Sequence, residues 1–581
     1  MAVDNRNRSF WLDLVLKQNH LSPHSFAEWG DFSFLGHNKI GDFMEKRIIV
    51  VFLTFCLIMG GLCLRLYTAT TDTEAAGYIS SHYKTITLDT LRLPVIDCNG
   101  EPLVNRTSEN FVVAKPTEKA VSLLYESLTS AEFDTIATAL LQGSAGSVCV
   151  GEKFFAPNNS FVTLKKNVRY GENPLAVHLV GYVNSDGNGV SGIERCFNDL
   201  MKTDVTLSAK FLCDAKGDFV DGAQIGTDTL YNNHRGGVQL TLDSRIQSVV
   251  QEELRASSIK KGAVLVCDIH TGGIKAMASI PEYNPDKVGD SLADGNSPLT
   301  NRALSAFPVG SVFKVVVAAS ALENGISENF SYTCRGSVAV GGKVFHCNNS
   351  TPHGTLDMQK ALAHSCNCYF ISLAKAVGGK ELLQTASIFG FGQSTEVAKG
   401  LFSAKGEIPS AKSLKIEGAL ANFSFGQGVL TATPVQFANV FNAIASGGRY
   451  TDPFCVTNVT DTAGERVYEF TPKAPVVALS ASTAKKLASM LSAVVSDGTA
   501  KNAQTQGFAS AGKTATAQTG IYNEKGEEQL CTWFGGYFPA DNPQYSVVIV
   551  SEDGTAGGED CAPVFKKIAQ RVFEQKDFLK N

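Results

Sequence analysis

The chain has 581 residues, a net charge of −5 and a hydrophobic fraction of 44%. That length predicts about three to four domains, and so mild an acidity leaves no electrostatic footprint for nucleic acid. There is no Gly-rich phosphate loop and no Cys-x-x-Cys pair with zinc spacing, so neither a cofactor nor a metal is expected.

Residues 1–43 mix aromatic and polar positions without a sustained period. They read as a short cytoplasmic tail of little structure or as a start-site artefact, because Met44-Glu45-Lys46-Arg47 leads directly into an apolar run. Residues 48–64 carry no charge, near the lower limit of the ~20 apolar residues that span a bilayer. No Ala-x-Ala-like cleavage site follows, so the expectation is an uncleaved anchor over 48–67 with a tail over 1–47. Lys46 and Arg47 against the lone Arg65 put the N-terminus inside and everything after the anchor outside the cytoplasm. Most of the 14 cysteines would then lie where disulfides form, although spacing alone assigns no pairs.

Residues 80–90 read as a polar stalk, and Asn99-Gly100 between apolar runs as a hairpin turn. Two helices are expected over 118–142, and strands over 161–167 and 176–183. This mixed α+β region, 68–235, holds no titratable cluster suited to chemistry, and His178 reads as structural. A second domain, 236–581, opens with Asp243 capping a helix over 244–256. A hairpin follows over 262–269 and 273–279. Residues 312–322 are apolar on nearly every face and predict a buried helix closed by Asn324-Gly325. Further helices are expected over 358–364, 367–377 and 563–575, and strands over 511–519, 532–538 and 545–551. Strands at both ends with helices between them predict one antiparallel sheet.

Ser311 follows Pro308 and Gly310 at the start of the buried helix, with Lys314 one turn on. A hydroxyl beside an amine at a helix start is the makeup of a serine nucleophile and its proton acceptor. The pair alone is weak, since Ser-x-x-Lys recurs at Ser81/Lys84, Ser257/Lys260 and Ser372/Lys375 among others. Two later stretches strengthen it: Ser365-Cys366-Asn367 between two helical patterns, and Lys513-Thr514-Ala515-Thr516 inside a strand pattern.

In this order and rough spacing the three stretches resemble those of class B penicillin-binding proteins, the monofunctional transpeptidases of bacterial wall synthesis. The resemblance extends to Arg92, Asp97, Asn99-Gly100, Gly192-Ile193-Glu194, Thr241-Leu242-Asp243, Gln247, Asn301-Arg302, Gly426-Gln427-Gly428, Thr433-Pro434 and Gln436. It implies an α+β fold: a membrane-anchored pedestal or dimerisation-type domain followed by a penicillin-binding, β-lactamase-like domain. It also implies substrates ending in D-Ala-D-Ala, acylation by β-lactams, a SEDS-family glycan polymerase as partner, and a role in wall synthesis, with cell division, elongation (cell shape) and sporulation all left open. By the same resemblance Ser311 is the nucleophile and Lys314 its base. Ser365 relays a proton, Asn367 holds the substrate amide, Lys513 and Thr514 attract its carboxylate, and Thr516 with Ser311 supplies oxyanion N–H groups. Ala515 stands where the family usually has glycine, which bears on substrate fit. Leu93 and Cys98 replace the glycine and arginine usual in the pedestal motif. Cys334 and Cys347 fall where members often carry two cysteines and are expected to bridge. Of the rival readings, the intact serine, lysine and asparagine positions disfavour a catalytically weak or inactive scaffold, and the long region between the anchor and the second domain disfavours a β-lactam-binding sensor.

Overall fold

The structure is a computed structural model that describes residues 41–71, 82–228, 230–347 and 350–578. The expected tail before residue 41 lies outside the described residues. One unit is helix α1 (Gly41–Thr71), longer at both ends than the expected anchor. Its stretch Arg47–Thr68 has a mean hydropathy of 2.4 and is long and apolar enough to cross a membrane.

The second unit begins at Tyr83. Where a stalk was expected, the chain forms strand β1 (Tyr83–Arg92), because Ile86, Leu88 and Leu91 pack inward. Short strand β2 (Val95–Ile96) follows. A separate small lobe comes next. Strands Thr107–Ala114, Gly146–Gly151 and Phe161–Val168 form a three-stranded sheet with Thr107–Ala114 central. Helices Glu118–Ser127 and Ser130–Leu141 close over its own core of Val112, Leu124, Ile136 and Val148. Residues 176–183 are not a strand: the apolar run forms the short helix Val177–Val180, entered through Ala176 in the left-handed region. A continuous apolar run of this length does not separate a buried strand from a buried helical turn.

Strand β3 (Lys202–Leu212) returns antiparallel to β1. Strand β4 (Gly237–Leu240) then pairs parallel with β2 and joins the two halves of the unit. Helix α2 (Ser244–Arg255) is capped by Asp243, as expected. Its start is also held by buried Asp97, which accepts from the Ser244 N–H at 2.9 Å and hydroxyl at 2.8 Å. Asn99 Nδ2 donates to Asp243 at 3.2 Å. Asp97 and Asn99 thus clamp the start of α2.

The remaining elements are β5 (Lys261–Asp268), β6 (Ile274–Ile280), α3 (Lys314–Glu323), α4 (Met358–Ala363), α5 (Asn367–Val377) and α6 (Pro434–Ala445). After them come β7 (Val456–Thr460), α7 (Ala481–Ser496), β8 (Ala511–Tyr522), β9 (Glu528–Phe538), β10 (Tyr545–Gly554) and α8 (Ala562–Phe578). The central sheet has the order β6-β5-β10-β9-β8 and is antiparallel throughout. Helices α2 and α8 are tied by Arg571, which pairs with Glu252 at 2.7 Å and Glu253 at 2.8 Å. Helix α6 is buried from Pro434 to Ile444, with a Thr433/Gln436 capping box. It approaches the sheet so closely that a Cβ at Gly535 would lie 2.1 Å from the Phe441 ring.

Candidate active site

Ser311 does not open the α-helix directly. It sits in a tight 3-10 turn, Gly310–Phe313, that runs into α3 at Lys314. Residues three apart eclipse one another in such a turn, which sets Lys314 over Ser311: Nζ lies 3.0 Å from Ser311 Oγ. The loop before the turn is fixed from three sides. Phe307–Pro308 pairs with Thr431–Ala432, and Trp533 Nε1 donates to the Pro308 carbonyl at 2.8 Å. The Gly310 N–H donates to the Gly426 carbonyl at 2.8 Å. Gly310 and Gly426 both have positive φ, and a Cβ at Gly426 would lie 1.9 Å from the Gly310 oxygen. Only glycine permits that approach.

The second stretch arrives on the turn between α4 and α5. Ser365 has φ +55°, rare for a residue with a side chain. This bend presents its carbonyl at 2.6 Å and its hydroxyl at 3.2 Å from Lys314 Nζ. Asn367 Oδ1 is 2.6 Å from the same nitrogen, while Asn367 Nδ2 donates to the His346 carbonyl at 2.8 Å. The third stretch comes from edge strand β8. Lys513 Nζ reaches Ser365 Oγ at 3.2 Å, the Thr514 carbonyl at 2.9 Å and Thr499 Oγ1 at 3.4 Å. Ser365 Oγ therefore lies between two lysine nitrogens. Thr516 is exposed on β8, and a Cβ at Gly310 would lie 2.7 Å from its carbonyl, so β8 runs alongside the serine turn.

Both lysines are fully buried. Burial pulls the Lys314 ammonium down to about 7, with the thiols of Cys366, Cys347 and Cys368 acting in the opposite direction. Lys513 is also held well below its ordinary value, first by burial and then by Lys314. Desolvation thus leads for Lys314, and the neighbouring cation adds to burial at Lys513. A neutral Lys314 has two N–H bonds and one lone pair. The Ser365 carbonyl and Asn367 Oδ1, both acceptors only, take the two N–H bonds. The lone pair is left for the Ser311 hydroxyl.

Ser311, Lys314, Ser365, Asn367, Lys513 and Thr514 thus converge. Ala515 is 3% exposed and lies opposite Trp533 of β9 in the sheet register. Cys334 and Cys347 also meet, Sγ to Sγ 3.6 Å, but as free thiols without the expected bond. Thr499 and the His346 carbonyl had no signal in the sequence. Thr499 follows α7 in a plain turn, and a backbone carbonyl carries no residue type. His178 is structural, its Nε2 2.7 Å from the Pro298 carbonyl and its ring edge-on to Tyr283.

Residues 262–570 match the penicillin binding protein transpeptidase domain. The chain belongs to the class B penicillin-binding proteins. Stage V sporulation protein D of Bacillus subtilis is 29% identical over 415 residues, 67% of this chain and 61% of that relative. The peptidoglycan D,D-transpeptidase FtsI of Buchnera aphidicola is 29% identical over 428 residues, 71% of each chain. The chain thus spans less than two thirds of the sporulation protein and rather more of FtsI. The crystal structure of penicillin-binding protein 3 from Mycobacterium tuberculosis complexed with aztreonam shares the fold, with a TM-score of 0.61 and 24% identity. That match covers 85% of this penicillin-binding protein and 97% of the other chain.

Proposed function

We propose that this penicillin-binding protein is a serine D,D-transpeptidase that cross-links peptidoglycan stem peptides and is acylated by β-lactams. The observation that carries the reading is the buried Lys314 amine, 3.0 Å from Ser311 Oγ, with its two N–H bonds taken by acceptor oxygens. Lys314 takes the Ser311 proton as Oγ attacks the carbonyl between the two D-alanines. The N–H groups of Ser311 and Thr516 stabilise the oxyanion. The C–N bond breaks, and the proton passes from Lys314 through Ser365 Oγ to the leaving D-alanine. Asn367 holds the stem-peptide amide, and Lys513 with Thr514 attracts the terminal carboxylate. An amine from a neighbouring strand then attacks the ester. Its proton goes to Lys314 and on to Ser311 Oγ as the ester C–O bond breaks, which restores the Ser311 hydroxyl and the neutral amine as the peptide cross-link forms.

In this reading residues 1–47 are cytoplasmic, α1 is a single-pass anchor, and residues 68–235 and 236–581 are an extracytoplasmic pedestal and the transpeptidase domain. The two cations before the apolar run support that orientation. Glycan polymerisation falls to a SEDS-family partner, and the pedestal serves docking or homodimerisation. The reading rests on the absence of an acidic catalytic pair from the sequence of residues 68–235, and two of that region's buried carboxylates, Asp97 and Glu194, are engaged in structural contacts.

The test is labelling with a fluorescent β-lactam followed by mass mapping. The adduct is expected on Ser311 alone. Ser311→Ala abolishes it in a folded protein. Lys314→Arg abolishes it too, because arginine keeps the charge but remains protonated and cannot accept the proton. An adduct elsewhere, or parental acylation by Lys314→Arg, would sink the reading.

A further inference from the structure

Behind the Ser365–Asn367 turn lies a cluster that the transpeptidase reading does not use. Cys334 ends the short strand Tyr332–Cys334, and Cys347 follows the hairpin strand Lys343–His346. His353 precedes the strand Gly354–Leu356. Cys366 is the residue between Ser365 and Asn367, and caps α5. One donor atom from each of Cys334, Cys347, His353 and Cys366 lies within 4.8 Å of all the others. Cys347 Sγ is 3.6 Å from Cys334 Sγ and 3.7 Å from Cys366 Sγ, and Cys334 Sγ is 3.5 Å from His353 Nδ1. The three sulfurs belong to residues at most 3% exposed.

We propose that Cys334, Cys347, His353 and Cys366 form a structural zinc site that holds the Ser365–Asn367 turn in place. Four ligands about 2.3 Å from a tetrahedral zinc lie roughly 3.8 Å apart, close to the spacing of these atoms. Three thiolates and an imidazole are a zinc set, and each thiol gives up its proton as Zn²⁺ binds. The surroundings fit thiolates. The Gly336 N–H donates to Cys334 Sγ at 3.3 Å and the Tyr369 N–H to Cys366 Sγ at 3.5 Å, while His364 stacks on the His353 ring. A disulfide between Cys334 and Cys347 would use only two of these groups and leaves the approach of His353 and Cys366 without a cause. A fifth donor, Cys368, lies 3.5 Å from Cys347 Sγ, outside the set of four.

The placement gives the metal a consequence for the active site. Cys366 anchors the turn that keeps Ser365 at positive φ. Cys347 directly follows His346, whose carbonyl receives Asn367 Nδ2. The expectation of no metal rested on missing Cys-x-x-Cys spacing. Here the ligands come from four separate places between residues 334 and 366, and only the fold gathers them.

The inference stands whether or not the chain is a transpeptidase, and its test is kept separate from catalysis. The full-length chain, purified in detergent under reducing conditions without chelator, is assayed for metal by mass spectrometry. After stripping, it is titrated with Co²⁺. One zinc per chain is expected. Co²⁺ should give tetrahedral d–d bands with thiolate charge transfer, erased by added Zn²⁺. Cys366→Ser and His353→Ala should lose zinc, Cys368→Ser should keep it, and Ser311→Ala should keep zinc while losing acylation. The site is refuted if the reduced wild-type chain takes up no zinc and Co²⁺ gives no thiolate bands, a result that needs no variant to fold. It is equally refuted if the chain carries a Cys334–Cys347 disulfide in place of metal, or if Cys366→Ser retains full zinc.

Discussion

Lys314 shows how a strong base is held neutral beside a hydroxyl. Its amine is fully buried and pulled down to about 7. The groups facing it are Lys513 from β8, Ser365 and Asn367 from the α4–α5 turn, the thiols of Cys347, Cys366 and Cys368, and the Phe370 ring at 5.8 Å. The active form is the neutral amine, so acylation should fall as pH drops below about 7, by about tenfold per unit, and level off above it. Stopped-flow acylation by a β-lactam across that range checks this; a rate that is flat down to about pH 5.5 would exclude Lys314 as the base. Ala515 belongs to the same neighbourhood. Its methyl is covered by protein, where the resemblance implies a glycine. Ala515→Gly should lower stability by about 1 kcal/mol in a thermal melt.

The Ser311 turn and its partners test how one loop positions another. Gly426 is far from Ser311 in the chain, yet it receives the Gly310 N–H and leaves no room for a Cβ. Gly426→Ala should push the serine turn out of register. A displacement of ~1 Å can cost about 100-fold in rate, so acylation should fall by roughly that factor while the fold persists. Gly428→Ala is the control. Its φ is +85°, but its nearest neighbour is Asn422 Cβ at an ordinary 3.5 Å. It should lose stability without a comparable loss of acylation, and equal losses in the two variants would contradict the clamp. Elements with a clear period or cap were legible in advance: α2 with Asp243, the β5–β6 hairpin, and α5 ending at Gly378. The run 176–183 was not, because its apolar residues are buried in any conformation and only the turn at Ala176 decides between them.

Across the molecule, the half of the unit that precedes β4 is held by a buried polar network around Glu194. Glu194 is fully buried and pairs with Arg92 at 2.7 Å and Arg169 at 2.6 Å, with the Tyr170 hydroxyl 3.3 Å away. Both guanidiniums are themselves largely covered, 11% and 13% exposed. Removing the shared carboxylate leaves two cations uncompensated, so Glu194→Ala should cost about 3–5 kcal/mol in the first denaturant-unfolding transition. Ser311 and Lys314 are held by elements that Glu194 does not touch, so the folded fraction should still acylate at the parental rate. A stable variant with slowed acylation would instead make the pedestal part of the active machinery.

The order of the three chemical stretches, the antiparallel sheet drawn from the early and late strands of residues 236–581 and the apolar anchor were all readable from contiguous residues, because period, caps and short motifs are local properties. Tertiary packing alone decided three further matters. It set the cause of the Lys314 shift, since burial depends on what α5 and β8 place over the amine. It recruited Thr499 and the His346 carbonyl, which have no distinguishing residue type or spacing. It also brought His353 and Cys366 to the pair Cys334 and Cys347, because the hairpin after Tyr332–Cys334 folds back onto the start of α5.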